Sequence, residues 1–516
     1  MKSLSFLLLC CFVSVVSLAQ SIVYVTPSGS GNGSGNSWSN SLPGTQLASR
    51  VARAATGTQY WLAAGTYKPT TTTDRTASFS IATGVSVYGG FAGTETALDQ
   101  RNYTINTTIL SGDIGFPYNS GDGSDLPASQ ADNSYHVVSI QDADETTQLN
   151  GLTISGGVAN LANGSTSYVL GEGVQANDIG KTGGGIQNIS VKKCSTPSII
   201  NCTIEQNRAS FGCGLYSSGA ACSTAASSRI INCLFRNNKA IGLGSGGAVY
   251  INSVRNLVIQ ACTFVNNSSF WGGGIFVFNC NPQLTNCTFN GNLAGSNNGG
   301  SGGALFVDAF NQDSSPSLYN CLFTNNQATG GGAVFTGSFL NGTSTPQFIN
   351  CSFTQNKSLS AAGGALAIQD SVYSDGYTKS TSAYLPHPIL KNCIIWDNFS
   401  YKNESISFGY NAFPTVKNSI VNGTFLTQEY AGAPAEYNLG NNLNADPLFT
   451  DPDNGNFRLK PTSPALNAGD PTVTGLPATD LAGQARIQDG RVDMGAYELS
   501  VCKPTPCVPF TVQRRQ

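Results

Sequence analysis

Charge, histidine, methionine and tryptophan are all scarce in this 516-residue chain. Asp, Glu, Lys and Arg make up 11% of it and the net charge is −3, so no basic surface invites nucleic acid or anionic lipid. With only two histidines, His136 and His387, and no Cys-x-x-Cys pair, a zinc site is not expected. Beyond the first residues no apolar run reaches the roughly 20 residues a membrane-spanning helix needs. Adjacent Asp-Asp occurs nowhere, which removes one common pairing of carboxylates for acid–base work. Helical periodicity is confined to Leu47 to Ala55, whose apolar positions share one face.

What the chain has in abundance is repetition. Seven copies of one phrase place a small residue before Cys, two apolar or hydroxyl residues after it, and Asn beyond: Asn201-Cys202-Thr203-Ile204-Glu205-Gln206-Asn207, then copies around Cys233, Cys262, Cys287, Cys321, Cys351 and Cys393. Between them stand glycine clusters running into an apolar step, as in Gly246-Gly247-Ala248-Val249 and Gly272-Gly273-Gly274-Ile275. Successive cysteines lie 31, 29, 25, 34, 30 and 42 residues apart. Two short phrases alternating at such a period, with β-type runs and no helices between them, predict an all-β parallel β-helix closed by an N-terminal helix cap. Adjacent coils are then expected about 4.8 Å apart. The repeated Cys and Phe or Ile are expected to point inward. The repeated Asn (207, 238 or 237, 267 or 266, 292, 326 or 325, 356, 398) is expected at a turn, each amide meeting the next along the axis.

Fifteen cysteines in an exported chain raise the question of disulfides. The seven repeat cysteines occupy equivalent inward places and read as a column of buried thiols behaving as small hydrophobes. Cys194, Cys213, Cys222 and Cys280, and Cys502 with Cys507, fall outside the repeat and are the disulfide candidates.

The phrases from Gly183 to Asn398 resemble the repeat of chlamydial polymorphic outer-membrane proteins, which pairs Gly-Gly-Ala-Ile with Phe-x-x-Asn. That resemblance implies a right-handed parallel β-helix at a cell surface, used for adhesion. The opening phrases, Tyr60 to Tyr67, Val85 to Phe91 and Thr108 to Asp113, are similar to those of secreted β-helix proteins of the Bacteroidetes. The run Asp480 to Glu498, with Asp446-Pro447-Leu448-Phe449 and Ser463 to Gly469 before it, resembles the C-terminal module of choice-of-anchor surface proteins.

Met1 to Ala19 carries Lys2, an apolar run from Leu4 to Val16 and Ser17-Leu18-Ala19 before Gln20, and reads as a secretory signal. Cys10 and Cys11 lie inside the apolar run, too near Met1 to mark a lipoprotein. The expected organisation is a signal over 1–19, cap and first coils over 20–115, repeats over 116–440, C-terminal coils and cap over 441–498, and a Cys/Pro tail over 499–516.

Many β-helices degrade polysaccharides, so chemistry has to be weighed. Pectin hydrolases of this fold carry Asn-Thr-Asp, Asp-Asp, Gly-His-Gly and Arg-Ile-Lys phrases, and the nearest approach is Arg486-Ile487-Gln488 without its Lys. His387, between two prolines, reads as a loop residue. A lyase needs clustered carboxylates for calcium and a basic side chain. The densest such grouping in the coils is Asp370, Asp375, Lys379, Asp308 and Asp313, which reads as solvated loop charge. Asp451 to Asn456 departs from a calcium loop and reads as a turn. Asp480, Arg486, Asp489, Arg491, Asp493 and Glu498 form the tightest charge constellation and read as ion pairs closing the last coil. No catalytic, cofactor-binding or metal-binding residue is therefore assigned. The expected function is an exported bacterial cell-surface protein, adhesin-like or structural and without a cofactor, with extracellular glycans or surface proteins as partners. The alternative is a polysaccharide lyase or glycan-binding protein.

Overall fold

A computed structural model describes residues 21–115, 130–161, 180–219, 227–254, 256–295, 299–339, 341–359, 363–370, 385–409, 412–423 and 438–499. The signal, Cys222, Asp375, Lys379, Cys502 and Cys507 lie outside these residues.

One coil shows how the repeat becomes structure. Val249–Asn252 lies in a first wall, Val258–Gln260 in a second, Thr263–Val265 in a third and Ser268–Ser269 in a fourth. Each strand pairs in parallel with its counterpart one coil on, giving sheets of ten, 13, 11 and seven strands. The corners are made where the backbone turns left-handed. Asn232, Asn286, Asn320, Asn350 and Asn392 take φ of 51° to 55° between the second and third walls, and Asn is one of the few side chains that tolerates this region. Between the fourth and first walls the turn falls to glycine: Gly272 has φ +64°, and a Cβ on Gly273 would stand 2.4 Å from the Gly303 carbonyl oxygen.

Exact register files identical side chains. Ile204, Phe235, Phe264, Phe289, Phe323 and Phe353 pair in turn along the third wall. The rings from Phe235 to Phe353 stack inside the solenoid with centroids 5.1, 4.7, 4.8 and 4.6 Å apart. Burying a phenyl side chain stabilises by roughly 1.5–3 kcal/mol. Cys202, Cys233, Cys262, Cys287, Cys321, Cys351 and Cys393 are all buried and free at one corner, as the thiol column requires. The Cys262 thiol donates to the Ile230 and Gln260 carbonyls at 3.4 and 3.3 Å. Burial pushes the Cys233, Cys321 and Cys393 thiols well up, which keeps them neutral.

The asparagine column sits at the corner between the third and fourth walls, and it resolves to Asn207, Asn238, Asn267, Asn292, Asn326, Asn356 and Asn398. Each of the first six amides donates Nδ2–H to the next Oδ1, at 2.8–3.1 Å. The spare N–H of Asn267 goes to the Phe235 carbonyl at 3.0 Å. Asn237, Asn266 and Asn325 are instead the left-handed turn residues beside the column.

Several expectations need correction. The cap helix is shorter than Leu47 to Ala55: it spans Leu47–Val51, buries Leu47 and Val51 on the first coils, and ends where the Val51 carbonyl accepts from the Ala82 N–H. Cys213 and Cys280 are not disulfide-bonded but are buried free thiols, pushed up to about 12 by burial, whereas Cys194 is disulfide-bonded to a residue outside those described. Asp308 is not a solvated loop charge; it lies in a strand of the first wall, Leu305–Phe310, with no exposure. Asp313 is exposed and accepts from the Thr343 N–H at 3.1 Å, and Asp370 ends the strand Leu366–Asp370.

The C-terminal region also differs from expectation. One further partial coil forms, Asn438 and Leu443 bridging to Val416 and Ile420. After it the chain makes an antiparallel hairpin, Phe449–Asp451 with Asn456–Leu459, whose connection includes Gly455 at φ +76° and confirms Asp451 to Asn456 as a turn. Residues 446–498 then pack along the outside of the third wall, Phe449, Phe457, Leu459, Ala465 and Met494 burying Leu322, Ile394 and Ile420. The charge constellation therefore does not close the last coil; it holds together a module lying on the side of the solenoid. Among the described residues no helix is long and apolar enough to cross a membrane.

Candidate functional site

The outward face of the third wall is built from two side chains per coil, flanked by the turn residue that precedes Cys. Asn201, Thr203 and Glu205 form one row, followed by Asn232, Leu234 and Arg236, then Ala261, Thr263 and Val265, then Asn286, Thr288 and Asn290. All of these are at least partly solvent-accessible. From Asn320 onward the equivalent positions are buried: Leu322, Thr324, Ser352, Thr354 and Ile394. The residue after Cys marks the change, being Thr on three of the four open coils and Leu, Ser or Ile beneath the module.

The turn asparagines form a second, outer file. Asn201 donates to Asn150 Oδ1 at 3.1 Å, Asn232 to Asn201 at 2.7 Å, Asn320 to Asn286 at 2.9 Å and Asn392 to Asn350 at 3.2 Å. Arg101 closes the N-terminal end, donating to Asn150 Oδ1 at 2.6 Å. Under the module these amides also reach main-chain carbonyls: Asn320 to Thr479 at 2.8 Å, Asn392 to Asp470 at 3.0 Å, and Asn350, which makes no bond to Asn320, to Asp493 at 2.8 Å. Sequence reasoning missed this file, although its signal was plain: Asn precedes Cys in six of the seven copies, and Ala in one.

Inside the module, Arg486 has no exposure and pairs with Glu498 at 2.7 Å. Burial pushes the Glu498 carboxyl up, to about 8, and holds the Arg486 guanidinium below its ordinary value, while their mutual attraction opposes both shifts. Asp480 accepts from the Ala482, Gln484 and Glu498 N–H groups, and Asp493 from those of Asn467 and Leu499. Asp489 and Arg491 are exposed and stand apart from this buried set. These carboxylates organise backbone.

The first wall carries a different outward file. Tyr216, Tyr250, Phe276, Phe306 and Phe335 stack with centroids 5.6, 4.9, 4.9 and 4.7 Å apart and are buried. Asp308 lies beside them, between Phe278 and Gly337 in register. Among the described residues neither of its carboxylate oxygens has a hydrogen-bond partner, and burial pushes its carboxyl well above the usual carboxylate range. Toward the N-terminal end the same face opens into a cleft of about 330 Å³ lined by Ser80, Ser139, Gln141, Gln187 and Ile189. His136 lies near it, its Nδ1 3.1 Å from the Gly183 carbonyl, with burial holding the imidazole below its ordinary value. His387 contacts the Phe413 carbonyl at 3.1 Å in the loop position expected of it. Among the described residues no three His, Cys, Asp or Glu side chains are grouped to hold a metal ion.

Residues 136–310 match the family model described as a right handed beta helix region, and residues 320–337 match the Chlamydia polymorphic membrane protein repeat. None of the curated proteins matches the chain. Among solved structures the chain is similar to pectate lyase Pel9A, at 13% identity and TM-score 0.50, covering 93% of this chain and 96% of that one. An alginate lyase from Paenibacillus sp. str. FPU-7 aligns at 14% identity and TM-score 0.41 over 76% of this chain and 99% of that one. A family 28 exopolygalacturonase of Yersinia enterocolitica aligns at 12% identity and TM-score 0.35 over 78% and 71%. At 13% identity the likeness to the pectate lyase is one of fold alone. Together with the sheet topology it makes the chain a right-handed parallel β-helix repeat protein.

Proposed function

We propose that the chain is an exported cell-surface β-helix of adhesin-like or structural character, whose work is contact rather than catalysis. The observation that carries this reading is the open stretch of the third wall. Thr203, Thr263 and Thr288, with Asn201, Asn232 and Asn286, form a largely neutral face that recurs on most of the open coils, interrupted by Leu234 and Ala261, where Glu205 and Arg236 pair with each other. Such a face supplies many weak hydrogen bonds to a hydroxyl- or amide-rich partner, extracellular glycan or surface protein, and no acid–base pair. The test is to coat the full chain on beads and measure adhesion to glycan-bearing and protein-bearing surfaces. Adhesion lost when Thr203, Thr263 and Thr288 are replaced together by Glu supports the reading; adhesion unaffected by that change refutes it.

A second reading, polysaccharide lyase or glycan-binding protein, is favoured by one observation: the buried carboxyl of Asp308, pushed above the usual carboxylate range by burial, in register with the strands that carry the aromatic file of the first wall. Incubating the full chain with pectate and alginate, with and without calcium, and following the ultraviolet absorbance of unsaturated products decides it. A sustained signal lost on Asp308→Asn would promote the enzyme reading over the adhesive one.

A further inference from the structure

The outer asparagine file is interrupted twice: beneath the module Asn350 donates to the Asp493 and Gly495 carbonyls and not to Asn320, and on the open coils an alanine stands in the asparagine's place. At Ala261 the chain turns with φ +52°, the same left-handed geometry its neighbours achieve with Asn. Alanine in this region is strained by roughly 1–2 kcal/mol, and nothing in the fold requires it there, since Asn occupies the place on the coils before and after. Without an amide at 261, Asn232 Oδ1 has no donor above it among the described residues. Asn286 Nδ2 likewise has no acceptor below it among them, although its Oδ1 accepts from Asn320 at 2.9 Å. An acceptor and a donor thus face each other across an exposed notch two coils long, about 9.6 Å by the sheet spacing.

The geometry points to this notch as a binding site for a carboxamide: the side chain of an Asn or Gln on an extended polypeptide segment of a partner, standing in for the missing rung. Its N–H would donate to Asn232 Oδ1 and its C=O accept from Asn286 Nδ2, with its methylene against the Ala261 Cβ. A polypeptide is favoured as the source because the same file already receives main chain. Under the C-terminal module, Asn320, Asn350 and Asn392 each donate an amide N–H to a backbone carbonyl. On the open coils Asn201 and Asn232 each make one amide donation, within the file, and their second N–H groups have no partner among the described residues. They would take carbonyls flanking the inserted side chain. This rests on the adhesive reading above and names a partner for it.

The test uses the full chain and a set of fluorescent 12-residue Gly/Ser peptides, each with a single central Asn, Gln, Glu or Leu, alongside chitotriose, whose acetamido groups offer the same chemistry on a sugar. Fluorescence anisotropy for the peptides and calorimetry for chitotriose report binding to the wild type and to Ala261→Asn. That variant closes the notch and relieves the turn, so its melting temperature should rise. The expected result is that Asn and Gln peptides bind the wild type at least tenfold more tightly than Glu or Leu peptides, and that Ala261→Asn abolishes the difference. Equal binding of all four peptides, none at all, or a preference surviving in Ala261→Asn overturns the site. Chitotriose binding that alone disappears in Ala261→Asn overturns the polypeptide source. None of these failures touches the adhesive reading, which the bead assay decides separately.

Discussion

The third wall is bare from Asn201 to Asn290 and clad from Asn320 to Val421, and the two halves are nearly identical inside. Phe264 and Phe323 occupy the same inward place with no exposure, and Cys262 and Cys321 the same corner. The difference lies in the outward residue: Thr263 and Thr288 on one half, Leu322 and Ile394 on the other. Inward residues set the coil, and outward residues decide what each stretch of wall meets. A solenoid can therefore change its surface chemistry from coil to coil without altering its backbone.

The strongest way to break the comparison is to release the cladding. Arg486→Ala leaves Glu498 buried without its partner and should destabilise the module by about 3–5 kcal/mol, read as an early, separate melting transition and protease cleavage within 446–498. An unchanged melt and digestion pattern would mean that the module is held by something other than this pair.

Next comes a change to which the two halves should respond alike. Asn267→Ala on the bare half and Asn356→Ala on the clad half each remove a buried amide, leaving unmet a carbonyl of the coil before and donors of neighbouring asparagines. Both should cost about 2–3 kcal/mol in denaturant unfolding. A twofold disparity would show that cladding reaches into the core.

Asp308 offers a contrast on another wall. Its carboxyl keeps its proton in the folded state while the unfolded chain releases it near pH 4, so its penalty on stability is absent below that pH and grows as pH rises. Asp308→Asn should therefore stabilise more at pH 7 than at pH 4, the difference approaching roughly 1.4 kcal/mol for each pH unit above the unfolded chain's value. A gain of equal size at both values would mean that the carboxyl is not held neutral.

The smallest effects are on the outward residues themselves. Leu322→Thr should cost about 1–2 kcal/mol, because it places a hydroxyl under Met494, whereas Thr263→Leu on the bare half should stay within about 0.5 kcal/mol. Equal effects in thermal melts would erase the distinction between the halves.

Most of the coil was legible in the sequence because in-register stacking copies the same side chain into the same environment, and copying shows as repetition. Cys233, Cys262 and Cys287 do share one corner, and Asn207 to Asn398 do form one column. What escaped was non-periodic or two-sided. Cys213 and Cys280 were misread because a thiol outside the repeat can still face the core. Asp308 looks like loop charge in Val307-Asp308-Ala309, since burial on the outer face depends on what packs there. The site of the C-terminal module was illegible because Asn320, Asn350 and Asn392 meet residues 78 to 159 positions away, a contact that leaves no local pattern. The outer asparagine file was readable as letters, but only the geometry shows it facing away from the cysteine column.

Hydroxyl-radical footprinting of the intact full chain tests the division of the wall most directly. Leu234 on the bare half should be oxidised in the folded protein, whereas Leu322, Ile394 and Met494 stay protected until Arg486→Ala releases the module. If Leu322 and Met494 react as fast as Leu234 in the intact chain, the module does not lie on the third wall and the distinction between its halves falls.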